Sequence, residues 1–235
     1  MGKRGLSHVE AIVSFVLFVG FLFLAFYFFS PFQGTNRVLD SSLDYALSEI
    51  MNNASLQTET YELSIDSGIL SPIVIITINN VLENVNATVF NYEGEILNSR
   101  LIGNDIAFSR GLNENFIRII FSEGITETSG LGGIGIRLPP GNYTISSSEI
   151  EEVVSEKLLL ELNSSYYSQY DSLKQSFNIP NRVDFAFEVM FEDGEKITAE
   201  RDVPVELEVV AKKERMEIIR TDGRVEFADL TVRVW

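Results

Sequence analysis

The residue with the most chemical consequence in this chain is Glu10. It stands directly before an apolar run that extends from Ala11 to Phe29 without a charge, and Lys3, Arg4 and Gly5 lie shortly before it. A carboxylate at the edge of hydrocarbon costs about 2.5–3.5 kcal/mol on insertion scales, so a cation beside it would offset a real penalty. The chemistry this arrangement supports is ion pairing in a low-dielectric layer rather than bond making. The bland alternative is a side chain that snorkels to the head-group region.

Other groups with chemical potential lead elsewhere or nowhere. His8 is the sole histidine and there is no cysteine. A Ser-His-Asp triad and a His/Cys metal site are therefore excluded beyond the first few residues, as are disulfides and a thiol nucleophile. Ser7 beside His8 lacks a third partner. Gly130, Gly132 and Gly135 spell G-x-G-x-x-G, but Pro139-Pro140 follow where a phosphate-binding helix would have to open, so a loop is expected. The carboxylate pairs Glu151/Glu152 and Glu192/Asp193 read as solvated helix faces and hairpin tips. Tyr166, Tyr167 and Tyr170 read as the packed side of a helix with hydroxyls in water. No calcium loop of the D-x-D-x-D-G type occurs. The expectation is a chain with no catalytic residue, no metal and no cofactor, hence not an enzyme. Asn53, Asn86, Asn142 and Asn163 each open an N-x-S/T sequon and are candidate glycan sites on an external face.

The opening segment resembles a known pattern. Lys3-Arg4-Gly5, then Glu10 as the fifth residue after the glycine, abutting an apolar helix, resembles the class III signal of type IV pilin-like proteins. The resemblance covers about the first 30 residues. It implies that a prepilin peptidase cuts on the cytoplasmic side between Gly5 and Leu6, making Leu6 the new N-terminus. It further implies that Glu10 faces the freed α-amine of Leu6 on a neighbouring subunit, so that apolar helices bundle into a filament core. Leu6 and His8 depart from the Gln and Ser often found at the first and third mature positions in archaeal members. The phenylalanine-rich span and the lack of cysteine still lean towards an archaeal source. The alternative reading is a non-polymerising, signal-anchored cell-surface binding protein.

The elements that must position these groups follow from periodicity and charge. Ala11–Phe29 would reach roughly 28 Å at ~1.5 Å per residue, close to the ~30 Å hydrocarbon core, and predicts a membrane helix. Lys3 and Arg4 before it, against Asp40 and Asp44 after it, place the N-terminus in the cytoplasm and the remainder outside. The formal net charge of −16 opposes contact with phosphate backbones, so no nucleic acid is expected as a partner. The expected partners are membrane lipid, the prepilin peptidase and other pilin-like subunits.

The expected fold class is α+β. A pilin-like transmembrane and stem helix leads into a mainly antiparallel β ectodomain with an inserted helical segment. The predicted division is a leader over 1–5, a membrane and filament-core helix over 6–30 and a stem over 31–52. A β-rich region over 53–145, a helical segment over 146–182 and C-terminal hairpins over 183–235 follow. Within this plan Ser30-Pro31 and Gln33–Asn36 read as a break, with Asn36 capping a helix over 37–51. Ser147 or Ser148, then Asn163 or Ser164, are the predicted caps of two further helices. Asp193-Gly194 and Asp222-Gly223 predict tight hairpin turns, with a strand over 205–211 between them. Trp235 is expected to close the core.

Overall fold

The computed structural model of the protein describes residues 8–29, 32–79, 81–126, 131, 135–203 and 207–235, with side chains of the first two helices given for 10–26 and from 37 onward. Helix α1 spans His8–Phe29 and helix α2 spans Phe32–Ala54. Among the described residues no helix is long and apolar enough to cross a membrane. The part of α1 with described side chains, Glu10–Phe26, amounts to roughly 25 Å at ~1.5 Å per residue, against ~30 Å of hydrocarbon. Lys3, Arg4, Gly5, Leu6 and the Ser30-Pro31 break lie outside the described residues.

The expected interruption at Gln33–Asn36 does not occur, because α2 runs straight through it, and Asn36 is an interior residue rather than a cap. Gly34 costs only about 1 kcal/mol relative to alanine. The long stripe that follows outweighs it. Leu39, Leu43, Ala46, Leu47, Ile50 and Ala54 recur at spacings of three and four, and all are buried.

Strand β1 (Ser55–Ile65) leaves the end of α2 with no intervening loop. Then come β2 (Ile73–Thr77), β3 (Asn86–Asn91), β4 (Ile96–Leu97), β5 (Ser99–Ile102), β6 (Asp105–Ser109), β7 (Phe116–Ser122), β8 (Ile136–Arg137) and β9 (Tyr143–Ser155). Helices α3 (Glu156–Ser168) and α4 (Tyr170–Ser176) separate these from β10 (Phe185–Phe191), β11 (Lys196–Ala199), β12 (Val210–Ile219) and β13 (Val225–Val234). Among the described residues they form a nine-stranded sheet, β11-β10-β13-β12-β9-β1-β7-β3-β4, and a four-stranded one, β5-β6-β2-β8. Pairing is antiparallel except between β12 and β9 and between β2 and β8.

The helical segment expected from residue 146 begins ten residues later. Ser147 and Ser148 lie inside β9, and Ser155 is the residue at which α3 starts. Ile150, Val153 and Val154 mimic a helical stripe at spacings of three and four. Pairing of β9 with β1 along its length, from Ser55↔Val154 to Ile65↔Tyr143, overrides that local signal. Asn163 and Ser164 likewise sit within α3, and the helix ends at Gln169 instead. The carboxylates Glu151 and Glu152 are consequently on a strand and not on a helix face. The strand expected over 205–211 starts only at Val210.

Three apolar clusters hold the fold. Helices α2 and α3 cover one end of the large sheet through Leu43, Ile50, Leu159, Tyr166, Phe185 and Phe187. The small sheet covers the other end, where Val74, Ile76, Ile106 and Phe108 meet Tyr61, Leu63, Ile119 and Phe121. Alternation along β1 puts Tyr61 and the partner of Val154 on the same face, so both covers lie on one side. On the other side the sheet curls over Leu56, Phe90, Ile120, Val153 and Ile219. The curl is tight. Thr88 on β3 donates its hydroxyl to the carbonyl of Asp222 at the tip of the β12–β13 turn, 2.9 Å away. Three strands intervene in the ladder, which in a flat sheet would hold those groups roughly 19 Å apart.

Both Asp-Gly turns form as read. Gly194 and Gly223 adopt φ of 88° and 91°, and each donates its N–H to the residue three before it, Phe191 and Arg220. These are three-residue loops with glycine in the left-handed position. At Gly223 a Cβ would also come within 2.5 Å of the Thr88 hydroxyl oxygen, so the curl itself requires glycine there. Trp235 is buried and exchanges backbone hydrogen bonds with Asp184.

Candidate functional site

Across its described side chains, Glu10–Phe26, helix α1 differs from the other helices in having no covered face. Phe15, Val16, Leu17 and Phe18 point about 100° apart around the axis, yet they are 66%, 62%, 68% and 59% exposed. Ile12, Val13, Phe21, Phe23, Leu24 and Phe26 are exposed as well. In α2 the apolar side chains converge on one stripe and the chain's own sheet buries it. In α1 they do not converge, so no single contact within this chain could shield them. Contiguous apolar surface of this extent is uncommon on soluble monomers and in general marks a place of interaction. Glu10 lies in the first turn of α1. A carboxylate there is favoured by the positive end of the helix dipole, which also restricts where a partner cation can approach.

On α3 and α4 the expected packed face forms at Tyr166 and Tyr170, whose hydroxyls are not in water, while Tyr167 stays exposed. Tyr166 is fully buried and donates to the carbonyl of Phe185 at 2.6 Å. Tyr170 donates to Asp184 Oδ1 at 3.0 Å and accepts from the Phe185 N–H at 3.1 Å. Tyr167 is 57% exposed, donating towards Thr198 O at 3.2 Å and accepting from Glu200 N. Burying a hydroxyl without a partner would cost more than these bonds contribute, so each buried ring is placed where an acceptor exists. Buried Lys174 donates to the same Asp184 oxygen and to Asn181 O, both at 2.8 Å. The Arg201 guanidinium stacks 3.8 Å from the Tyr170 ring centre. Beside this cluster Asp184, Glu200, Arg201, Asp202, Leu207 and Trp235 line an open cleft of about 580 Å³. Its chemistry is that of a polar recess, with three carboxylates and one stacked cation.

Burial raises the Tyr166 and Tyr170 phenols above the usual range, and burial followed by the Glu59 carboxylate pushes Tyr61 up to about 12. A folded pKa above the unfolded value of about 10 means stability that is complete below pH 10 and falls as pH rises through the folded value. Spectrophotometric titration should therefore show these three tyrosines ionising together with unfolding above about pH 10. Ionisation of these three in a still-folded chain would contradict this.

A second polar centre escaped the sequence reading. Arg220, with its side chain only 10% exposed, lies at the end of β12. Its guanidinium meets Glu156 at 3.1 Å, Glu226 at 2.8 Å, Asp193 at 3.5 Å and Glu195. It also stacks 4.1 Å from Phe191. Burial pulls its pKa down, but the carboxylates of Glu195, Glu156 and Glu226 more than reverse this and the net shift is upward. The arrangement joins α3 to both Asp-Gly turns. The only signal in the sequence was the density of charge around those turns, Phe191–Glu195 and Arg220–Glu226. Glu192, the other member of one expected carboxylate pair, instead pairs with Arg215 at 2.8 Å.

The sequons differ in access. Asn53 is exposed near the end of α2, with its amide on Glu49 O at 2.7 Å. Asn86 is tied to Ile125 O at 2.7 Å, and its sequon threonine is the buried Thr88. A glycan at Asn86 requires both contacts to be absent when it is added. Asn142 and Asn163 are half-buried, and Asn163 Oδ1 has no hydrogen-bond partner. Most of the 130–135 glycine run lies outside the described residues. Among the described residues no group of three or more acidic or histidine side chains is placed to hold a metal ion.

No family model, no curated protein and no solved structure matches this chain. What the structure defines is an α+β protein: two N-terminal helices, then a large, curled, mainly antiparallel sheet with inserted helices.

Proposed function

We propose that the protein is a membrane-inserted type IV pilin-like subunit, of the minor or accessory kind. Its N-terminal helix enters a filament core and its β-rich head is displayed outside the cell. The observation that carries this reading is the apolar surface of α1, exposed on all sides while α2 and the sheet close their own core. Such a helix needs lipid before assembly and other apolar helices after it. Glu10 then supplies the polarity that lipid cannot satisfy and that an α-amine on the adjacent copy would. Cutting after Gly5 creates that amine at Leu6. The head serves adhesion or surface structure, without catalysis, and the size and elaboration of its sheets suit an accessory subunit better than a bulk fibre subunit.

The test is fractionation of the surface. Shearing cells and sedimenting fibres should bring the chain into the fibre fraction together with other pilin-like subunits. A chain found wholly in the membrane after shearing would support the non-polymerising surface anchor instead.

A further inference from the structure

Among the described residues, strand β9 is open along one edge. β1 pairs with it from Tyr143 to Val154, but on its other side β12 joins only at Val154 and Ser155. The two strands are parallel, meet at their C-terminal ends and splay apart towards their N-terminal ends. From Thr144 to Glu152 every side chain of β9 is exposed on both faces, Ile150 to 60%. Nine residues of backbone thus present one row of N–H and C=O groups to a wedge-shaped opening inside the large sheet. Such an edge pairs readily with any extended segment, and natural sheets usually shorten it, cover it or disfavour it with charge. This one is not short, and among the described residues nothing pairs with it.

Its charge has one sign. Glu149 and Glu151 share a face, and the Glu151 carboxyl is held above its usual range first by Glu149 and also by Glu217 on β12. Among the described residues no lysine or arginine pairs with Glu149, Glu151 or Glu152. The cations of β12 are already engaged, Lys212 with Asp44, Lys213 with Asp229 and Arg215 with Glu192. A second copy of the same edge would bring two glutamate rows together, so self-pairing is opposed.

We infer that the β9 edge receives an extended segment of a partner protein in which lysine or arginine alternates with apolar residues. The added strand would continue the ladder beside β9. Its cations would stand opposite Glu149 and Glu151, and its intervening apolar residue opposite Ile150 on the other face. This is β-strand addition, in which the main chain provides attachment and alternate side chains provide selectivity. The proposal does not depend on whether the chain polymerises.

The test is hydrogen exchange on the full chain in detergent micelles, with three blocked octapeptides as probes: alternating lysine and valine, alternating glutamate and valine, and a lysine-valine peptide interrupted by proline. The lysine-valine peptide should slow exchange of those 144–152 amides that face the opening by about tenfold or more, while the other two leave them unchanged. The pair Glu149→Lys with Glu151→Lys should reverse the preference, so that the glutamate-valine peptide protects the edge. That reversal cannot arise from a variant that fails to fold. No protection at saturating peptide, or equal protection by both charge types, overturns the proposal. So does an edge already protected in the free chain with a mass showing two copies.

Discussion

Glu10→Ala should be cut after Gly5 as well as the parent and yet be missing from fibres. The two steps separate because they use different properties of the segment. On the proposed reading, cleavage uses the residues around the scissile bond, whereas assembly uses the carboxylate itself. If Glu10 pairs with the α-amine of Leu6 on the adjacent subunit, removing the acid leaves a cation buried among apolar helices. Breaking a buried pair from one side costs about 3–5 kcal/mol. At ~1.4 kcal/mol per tenfold, incorporation should fall by a factor of about 100 or more. Quantifying the chain in sheared fibres against the membrane pool measures this. Glu10→Gln keeps the shape and loses the charge, and should fail almost as badly. Equal fibre yield for all three chains would mean that Glu10 only snorkels.

The second large effect is expected at Arg220. This guanidinium is the hub of Glu156, Asp193, Glu195 and Glu226, and it covers the Phe191 ring. Arg220→Ala removes the cation from among four carboxylates, two of which, Glu156 and Glu226, are themselves largely buried. The loss should be about 3–5 kcal/mol, as for other buried pairs broken from one side. For a domain of this size that lowers Tm by roughly 6–20 °C. Arg220→Lys retains the charge but not the fork that serves several acceptors at once, so it should recover only part of the loss. Thermal unfolding of the three chains decides the matter. A shift below about 2 °C for Arg220→Ala would show that solvent already screens the cluster, as it does for exposed pairs.

Much of the framework was legible because it rests on local rules. The Asp-Gly turns depend on glycine's access to positive φ, which the sequence states directly. The α2 stripe depends on helical spacing, and the buried tyrosines on their register along α3 and α4. Reading failed where distant pairing decided the outcome. Residues 146–155 carry a stripe compatible with either period, and only their match to β1 makes them a strand. β6 (Asp105–Ser109) carries no alternation to read, since Ile106, Ala107 and Phe108 are buried in succession. The hydroxyl partners of Tyr166 and Tyr170 come from Asp184 and Phe185, residues whose proximity arises only from α3 and α4 folding back on β10. Arg220 is of the same kind, since its four acids come from three separate segments. The opening between β9 and β12 could not be read at all, because it depends on where two strands stop touching.

The central claim is that this chain is made to be cut and then to assemble through α1. The most direct measurement is the mass of its N-terminal peptide after co-expression with a prepilin peptidase, beside a chain carrying Gly5→Val. The account expects the parent to begin at Leu6 and the variant to retain Met1. A parent that still begins at Met1, or one that begins beyond Pro31 after loss of the whole apolar helix, would contradict it.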